Sequence, residues 1–173
     1  MKLYLKNSEI KKRIKELGAQ ISKDYKGKEV IAVGLLKGCV MFMAHLLLEF
    51  KGKVAIDFMT ISSYKHGTKS DNFKFIQDLD TDVKGKDVLI VEDIIDTGKT
   101  MSFTQKYLKS RGAKTVKTIT LIDKKSRRKY KIDEPKYIGF KYDEEPFVIG
   151  FGFDYGGFYR NLPDIYLMEE KDK

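Results

Sequence analysis

The chain has 173 residues, with 34 Lys+Arg against 25 Asp+Glu, a formal charge of +9 and a pI near 9.4. Hydrophobic residues make up 42% and charged residues 34%, a balance that excludes collagen, a disulfide scaffold and wholesale disorder. A single domain is expected, long enough to bury about 70% of its unfolded surface without disulfide staples. The lone Cys39 cannot close an internal disulfide, so a reducing, cytoplasmic setting is expected. The longest apolar stretch, 39–48, is interrupted by His45 and falls far short of the ~20 residues that span a bilayer. The first residues, MKLYLKNSEIKKR, carry no apolar signal run. The positive charge leaves three partners open: nucleic acid, an anionic membrane face, or a phosphorylated small molecule.

In chain order, residues 8–25 predict a helix, capped by Ser8, with Ile10, Ile14, Leu17 and Ile21 at helical spacing. Residues 30–36 (VIAVGLL) form a short continuous apolar run that suits a strand buried on both faces. Lys37-Gly38 breaks it, and 39–50 predicts a buried helix. A second strand follows at 54–61, then a polar, turn-rich loop at 62–72 and a short strand at 73–76. Residues 88–91 (VLIV) predict a third buried strand, 92–100 a loop, and about 100–110 a helix ended by Gly112. Strands are expected at 116–122, 137–140 and 147–149. Alternating strands and helices with buried runs imply an α/β fold around a mostly parallel central sheet flanked by helices, with ligands beyond the strand C-terminal ends.

The segment at 88–100 places chemistry at such an end. Four apolar residues stop at two adjacent carboxylates, Glu92 and Asp93, followed by Asp96-Thr97-Gly98-Lys99-Thr100. Gly98-Lys99-Thr100 matches the last letters of a nucleotide P-loop, but that pattern requires a glycine where this chain has Asp93, and a carboxylate there repels phosphate. Two chemical halves fit better. Residues 96–100 can wrap a phosphate monoester with backbone N–H groups and hydroxyls at a helix N-terminus. Glu92 and Asp93 can accept hydrogen bonds from sugar hydroxyls or help hold a divalent cation through water. Together they describe a clamp for ribose 5-phosphate; a solvated acidic turn is the bland alternative.

Here the chain resembles the type I phosphoribosyltransferase family and, within it, the hypoxanthine-guanine (6-oxopurine) branch. VLIVEDIIDTGKT is similar to that family's motif for phosphoribosyl pyrophosphate (PRPP), and other motifs follow in order from about residue 30 to 163. The resemblance implies a Rossmann-like core at about 25–140 with a small hood lobe from about 1–10 and 141–173. It implies that Glu92 and Asp93 meet the ribose hydroxyls and Mg²⁺, that Asp96 faces purine N7 as general base, and that Thr97, Gly98, Lys99 and Thr100 cradle the 5′-phosphate. Leu36-Lys37-Gly38-Cys39 resembles the Leu-Lys-Gly-Gly turn, implying a cis peptide before Lys37 and pyrophosphate contacts from Lys37 and Gly38; Cys39 departs from the pattern. Alone, Lys37 reads as a solvated helix-start lysine. Ser62, Ser63 and Tyr64 resemble the start of the family's flexible lid, which shields the reacting centre from water.

On the base side, Lys124 corresponds to the lysine that donates to the purine 6-oxo group, a match that disfavours adenine. It opens a basic cluster with Lys125, Arg127 and Arg128 that composition alone assigns to solvated surface. Phe147 and Val148 correspond to the base pocket, by stacking and backbone hydrogen bonding respectively; alone, Phe147 reads as a core aromatic. Asp154 corresponds to an acidic residue near a second Mg²⁺ and the exocyclic edge of the base, and Arg160 to an arginine reaching pyrophosphate. Gly156-Gly157 stand where relatives often carry bulkier residues. The implied activity is purine salvage: transfer of the phosphoribosyl group from PRPP to hypoxanthine or guanine, giving the nucleoside monophosphate (IMP or GMP) and pyrophosphate, by a homodimer or homotetramer with neither nucleic acid nor membrane as partner. A xanthine-preferring enzyme and an RNA-binding regulator on the same fold are the alternatives.

Overall fold

A computed structural model describes residues 1–63, 73–143 and 147–168 of the chain. In chain order the elements are β1 (Lys2–Leu5), α1 (Asn7–Asp24), β2 (Glu29–Leu35), α2 (Cys39–Glu49), β3 (Lys53–Ser63), β4 (Phe73–Gln77), β5 (Asp87–Ile95), α3 (Lys99–Ser110), β6 (Thr115–Asp123), β7 (Tyr137–Lys141), β8 (Phe147–Ile149) and β9 (Ile165–Met168), with a 3-10 turn at Lys125–Arg127. The larger sheet has the order β4-β3-β2-β5-β6-β7. All its pairings are parallel except β3 with β4. The fold is therefore α/β with a mostly parallel central sheet, as the apolar runs predict.

Alternation along the central strands feeds two cores. Val30 and Ala32 of β2, Leu89 and Val91 of β5, and Ile119 and Leu121 of β6 join Ile14, Leu17 and Phe42 of α1 and α2 on one face. Ile31, Val33, Leu35, Val88 and Ile90 join Met101 and Leu108 of α3 on the other. With neighbours on both faces, β2 and the first part of β5 have no polar side, which is why residues 30–36 and 88–91 read as continuous apolar runs; β6 alternates, with Thr118 and Thr120 buried on its second face.

Three local expectations change. Lys6, not Ser8, is the N-cap of α1; Ser8 lies inside the helix, and the Glu9 carboxylate accepts from the Lys6 N–H at 2.9 Å. The third strand does not stop at Val91: β5 continues through Ile95, with Glu92 opposite Thr120 and Ile95 opposite Asp123. Ser62 and Ser63 close β3, opposite Lys74 and Phe73, rather than opening a loop; Tyr64 and the rest of the predicted loop lie outside the described residues. The strands β1 and β9 are additions. They form a separate antiparallel sheet of order β1-β9-β8, which joins the two ends of the chain.

In the larger sheet the chain passes from β2 to β3 on one side and later returns to β5 on the other side of β2. The strand order reverses between β2 and β5, so a crevice opens beyond their C-terminal ends. Leu36-Lys37-Gly38 and the carboxylates of β5 stand there.

Candidate active site

Asp93 is 8% exposed, and its Oδ1 accepts from the Ile94 N–H at 2.7 Å. Glu92 Oε2 is buried without a hydrogen-bond partner in the protein. Burial pushes the Glu92 carboxyl well above the usual carboxylate range, and the neighbouring Asp93 charge adds to the shift. Burial raises Asp93 too, opposed by its hydrogen bonds to Glu92 and Ile94 and by the charge of Arg160. Two adjacent raised carboxyls, one with an unpaired oxygen, form a hard donor set that suits a divalent cation. Among the described residues no three His, Cys, Asp or Glu side chains converge into a metal cage. Mg²⁺ fits such a set with substrate oxygens and water completing its shell.

The 36–37 peptide is cis, as the resemblance implies. Lys37 is exposed, and Gly38 presses against Asp93 so closely that a Cβ would lie 1.8 Å from Asp93 Oδ2. Cys39 is fully buried in the α1–α2 core, and burial pushes its thiol far up, reinforced by the charges of Glu92 and Asp93. The departure from glycine at this position thus places an inert apolar group behind the turn. Arg160 donates to the Gly152 carbonyl at 2.5 Å and pairs with Asp154 Oδ1 at 2.5 Å; Asp154 Oδ2 accepts from the Gly157 N–H at 2.8 Å. Gly38, Glu92, Asp93, Asp154 and Arg160 all line one cavity of about 240 Å³.

A second cavity, of about 140 Å³, is lined by Glu92 and by residues 94–101. Gly98 adopts the left-handed region at φ 81°, which turns the chain into α3 and aims the following backbone at the cavity. Glu92 and Thr100 belong to both cavities. The acidic pair and the loop at 96–100 are therefore contiguous, as a sugar bearing phosphate on one end and pyrophosphate on the other requires. Lys99 Nζ lies 5.4 Å over the Phe73 ring.

The base-side residues occupy the strand ends beyond this pair. Lys124 follows β6, is 5% exposed, and holds its Nζ 4.8 Å over the Tyr142 ring; its N–H donates to the Ile95 carbonyl at 3.0 Å. Phe147 is not a core aromatic. It is 55% exposed, edge-on to Tyr155 with ring centroids 6.3 Å apart. Val148 is buried in β8, the edge strand of the small sheet.

The basic cluster is not solvated surface throughout. Arg128 donates to Asp123 Oδ1 at 2.5 Å and to the Asp96 carbonyl at 3.1 Å, and Arg127 Nε lies 2.8 Å from Asp96 Oδ1. Sequence reasoning missed Arg127, Arg128 and Tyr142. One signal was present: Asp123 follows Leu121-Ile122 at the end of the strand, and a buried carboxylate there demands a nearby cation.

Residues 2–156 match the model of the phosphoribosyl transferase domain family. The chain is 42% identical over 172 residues to the hypoxanthine-guanine phosphoribosyltransferase of Aquifex aeolicus, covering 98% of this chain and 96% of that protein. It is 46% identical over 168 residues to the hypoxanthine-guanine phosphoribosyltransferase of Staphylococcus aureus, covering 96% of this chain and 93% of that protein. A crystal structure of a hypoxanthine phosphoribosyltransferase from Staphylococcus aureus superposes with a TM-score of 0.92 at 44% identity, over 98% of this chain and 92% of that one. A ternary substrates complex of a mutant hypoxanthine phosphoribosyltransferase from Trypanosoma cruzi superposes with a TM-score of 0.91 at 32% identity, over 99% of this chain and 96% of that one.

Proposed function

Because this chain belongs to the phosphoribosyl transferase family, we propose that it transfers the 5-phosphoribosyl group from PRPP to hypoxanthine and guanine in purine salvage. Two adjoining cavities with Glu92 and Thr100 in common carry this reading, since they suit the two charged ends of one phosphoribosyl donor. The near-complete overlap with hypoxanthine-guanine phosphoribosyltransferases supports it. The RNA-binding alternative is weakened: within its basic cluster Lys124 is buried and Arg127 and Arg128 are engaged with Asp96 and Asp123, leaving Lys125, Lys129 and Lys131 exposed.

The backbone and hydroxyls of 97–100 hold the 5′-phosphate at the start of α3. Glu92 and Asp93 accept from the ribose hydroxyls. Glu92 and Asp93, with Asp154 at a second position, would hold Mg²⁺, which would supply charge neutralisation to the departing pyrophosphate. Lys37 and Arg160 supply the remaining positive charge to the leaving group. The bond from ribose C1′ to pyrophosphate oxygen breaks with its electron pair on that oxygen, through an oxocarbenium-like transition state. The purine N9 lone pair forms the new bond to C1′, and the N7 proton passes to Asp96. Lys124 donates to the 6-oxo oxygen, Phe147 stacks on the ring, and the Val148 backbone bonds the base edge. Asp154 orients Arg160. A lid following the end of β3 at Ser62 and Ser63, beginning with Tyr64, excludes water on this reading. The chain acts as one domain, with the β1-β9-β8 sheet as hood, in a cytoplasmic homodimer or homotetramer.

The test is a spectrophotometric panel of hypoxanthine, guanine, xanthine, adenine and uracil with PRPP and Mg²⁺. Turnover of hypoxanthine and guanine is expected, with adenine and uracil inert; no turnover of any oxopurine sinks the reading. Removing the exposed ring by Phe147→Ala is expected to raise the base KM about tenfold, the worth of one stacking contact, with the KM for PRPP unmoved. A rise confined to the KM for PRPP would place Phe147 outside the base pocket.

A further inference from the structure

The half-exposed contact between Arg127 and Asp96 has no role in the chemistry above. Arg127 closes the 3-10 turn that follows Lys124, with its N–H donating to the Lys124 carbonyl at 3.1 Å. Lys124 in turn is tied by its N–H to the Ile95 carbonyl at 3.0 Å, one residue before Asp96. Arg128 grips the Asp96 carbonyl at 3.1 Å, and the N–H groups of Lys129 and Tyr130 donate to the Thr97 carbonyl at 2.9 and 3.1 Å. Residues 124–130 are therefore a strap bonded along the loop at 95–97. The strap fixes the loop's backbone, and Arg127 reaches its carboxylate as an ion pair, with Nε 2.8 Å from the enclosed Asp96 Oδ1 but without hydrogen-bond alignment.

We propose that Arg127 is a positioning residue: it aims the Asp96 carboxylate at the N7 proton of a base seated on Lys124, and ties both groups to one turn. The proposal rests on the phosphoribosyl-transfer reading. The side chains are 35% and 43% exposed, so the ion pair adds little to folding stability. Its effect belongs to the reaction, where a small misplacement of a proton acceptor slows the chemical step.

A double-mutant cycle tests this, with kcat, both KM values and thermal melting measured for wild type, Arg127→Ala, Arg127→Lys, Asp96→Asn and Arg127→Ala with Asp96→Asn. Arg127→Ala is expected to lower kcat about tenfold, leave the KM for PRPP and the melting temperature unchanged, and be partly rescued in Arg127→Lys. In the Asp96→Asn background, the same change is expected to cost nothing further. Wild-type kcat in Arg127→Ala overturns the proposal, as does an equal loss in both backgrounds. A rise in kcat also overturns it, because Arg127 would then be sequestering Asp96. Wild-type turnover of oxopurine is the internal control: its absence removes the parent reading, whereas its presence beside an unaffected Arg127→Ala removes only the role of Arg127.

Discussion

Asp96→Asn is expected to lower kcat by about 10²-fold or more while largely retaining PRPP binding. The substitution keeps the size and planarity of the side chain. Its backbone carbonyl still receives Arg128, and the amide oxygen can still face Arg127. What disappears is the charge and with it the ability to take the N7 proton. On the proposed reading the 5′-phosphate is held by the backbone and hydroxyls of 97–100 at the start of α3, so PRPP binding is expected to survive although Asp96 lines the same cavity. The measurement is steady-state kinetics in both substrates, with calorimetric titration of Mg²⁺-PRPP as an independent check on binding. Wild-type turnover removes Asp96 from the mechanism; a loss seen wholly in PRPP affinity makes it a binding group.

The contrast between what is legible in the sequence and what is not follows the range of the forces involved. β2 and β5 announce themselves, because burial on both faces leaves short apolar runs, whereas β6 shows apolar positions on one face with Thr118 and Thr120 buried on the other. β1 and β9 do not announce themselves. Each has four residues, and Lys2 pairs with Leu167 only after the whole chain has folded between them. The end of β5 is hidden for a related reason. Glu92 and Asp93 look like a loop by polarity, yet the ladder to Thr120 and Ile122 carries the strand past them, burying Asp93 and leaving Glu92 half-buried with its Oε2 enclosed. That burial is what raises their carboxyls and leaves Glu92 Oε2 unpaired, and no composition rule discloses it. Phe147 shows the converse: composition favours the core, and its position on an edge strand of the small sheet leaves it open to solvent. Part of the basic cluster resolves in the same way, since Arg127, Arg128 and Arg160 are engaged by Asp96, Asp123 and Asp154; those pairs are neutral, so the +9 excess is carried by other cations, Lys129 and Lys131 among them on the surface.

Gly38→Ala is expected to lower kcat/KM for PRPP by about 10²-fold, the scale of a misplaced site group, and to destabilise the fold by about 1–3 kcal/mol through overpacking. Backbone freedom is not the reason. Gly38 lies at φ −61° and ψ −37°, a conformation alanine adopts readily. The obstacle is space. A Cβ would lie 1.8 Å from Oδ2 and 2.5 Å from Cγ of Asp93, a carboxylate only 8% exposed. Retreat of the turn is blocked too: Gly152 already approaches the Gly38 carbonyl closely enough that its own Cβ would lie 2.5 Å from that oxygen. The added methyl must therefore displace Asp93, one of the two carboxylates proposed to meet ribose and cation. Gly85→Ala is the control. It has φ 70° and nothing within 4 Å of a built Cβ, so it should cost about 1 kcal/mol from the left-handed backbone alone and leave activity intact. Thermal melts and PRPP-dependent rates on both variants separate the two effects. If Gly38→Ala keeps wild-type kcat/KM while losing stability, the contact between the turn and Asp93 is packing alone, and the acidic pair tolerates displacement.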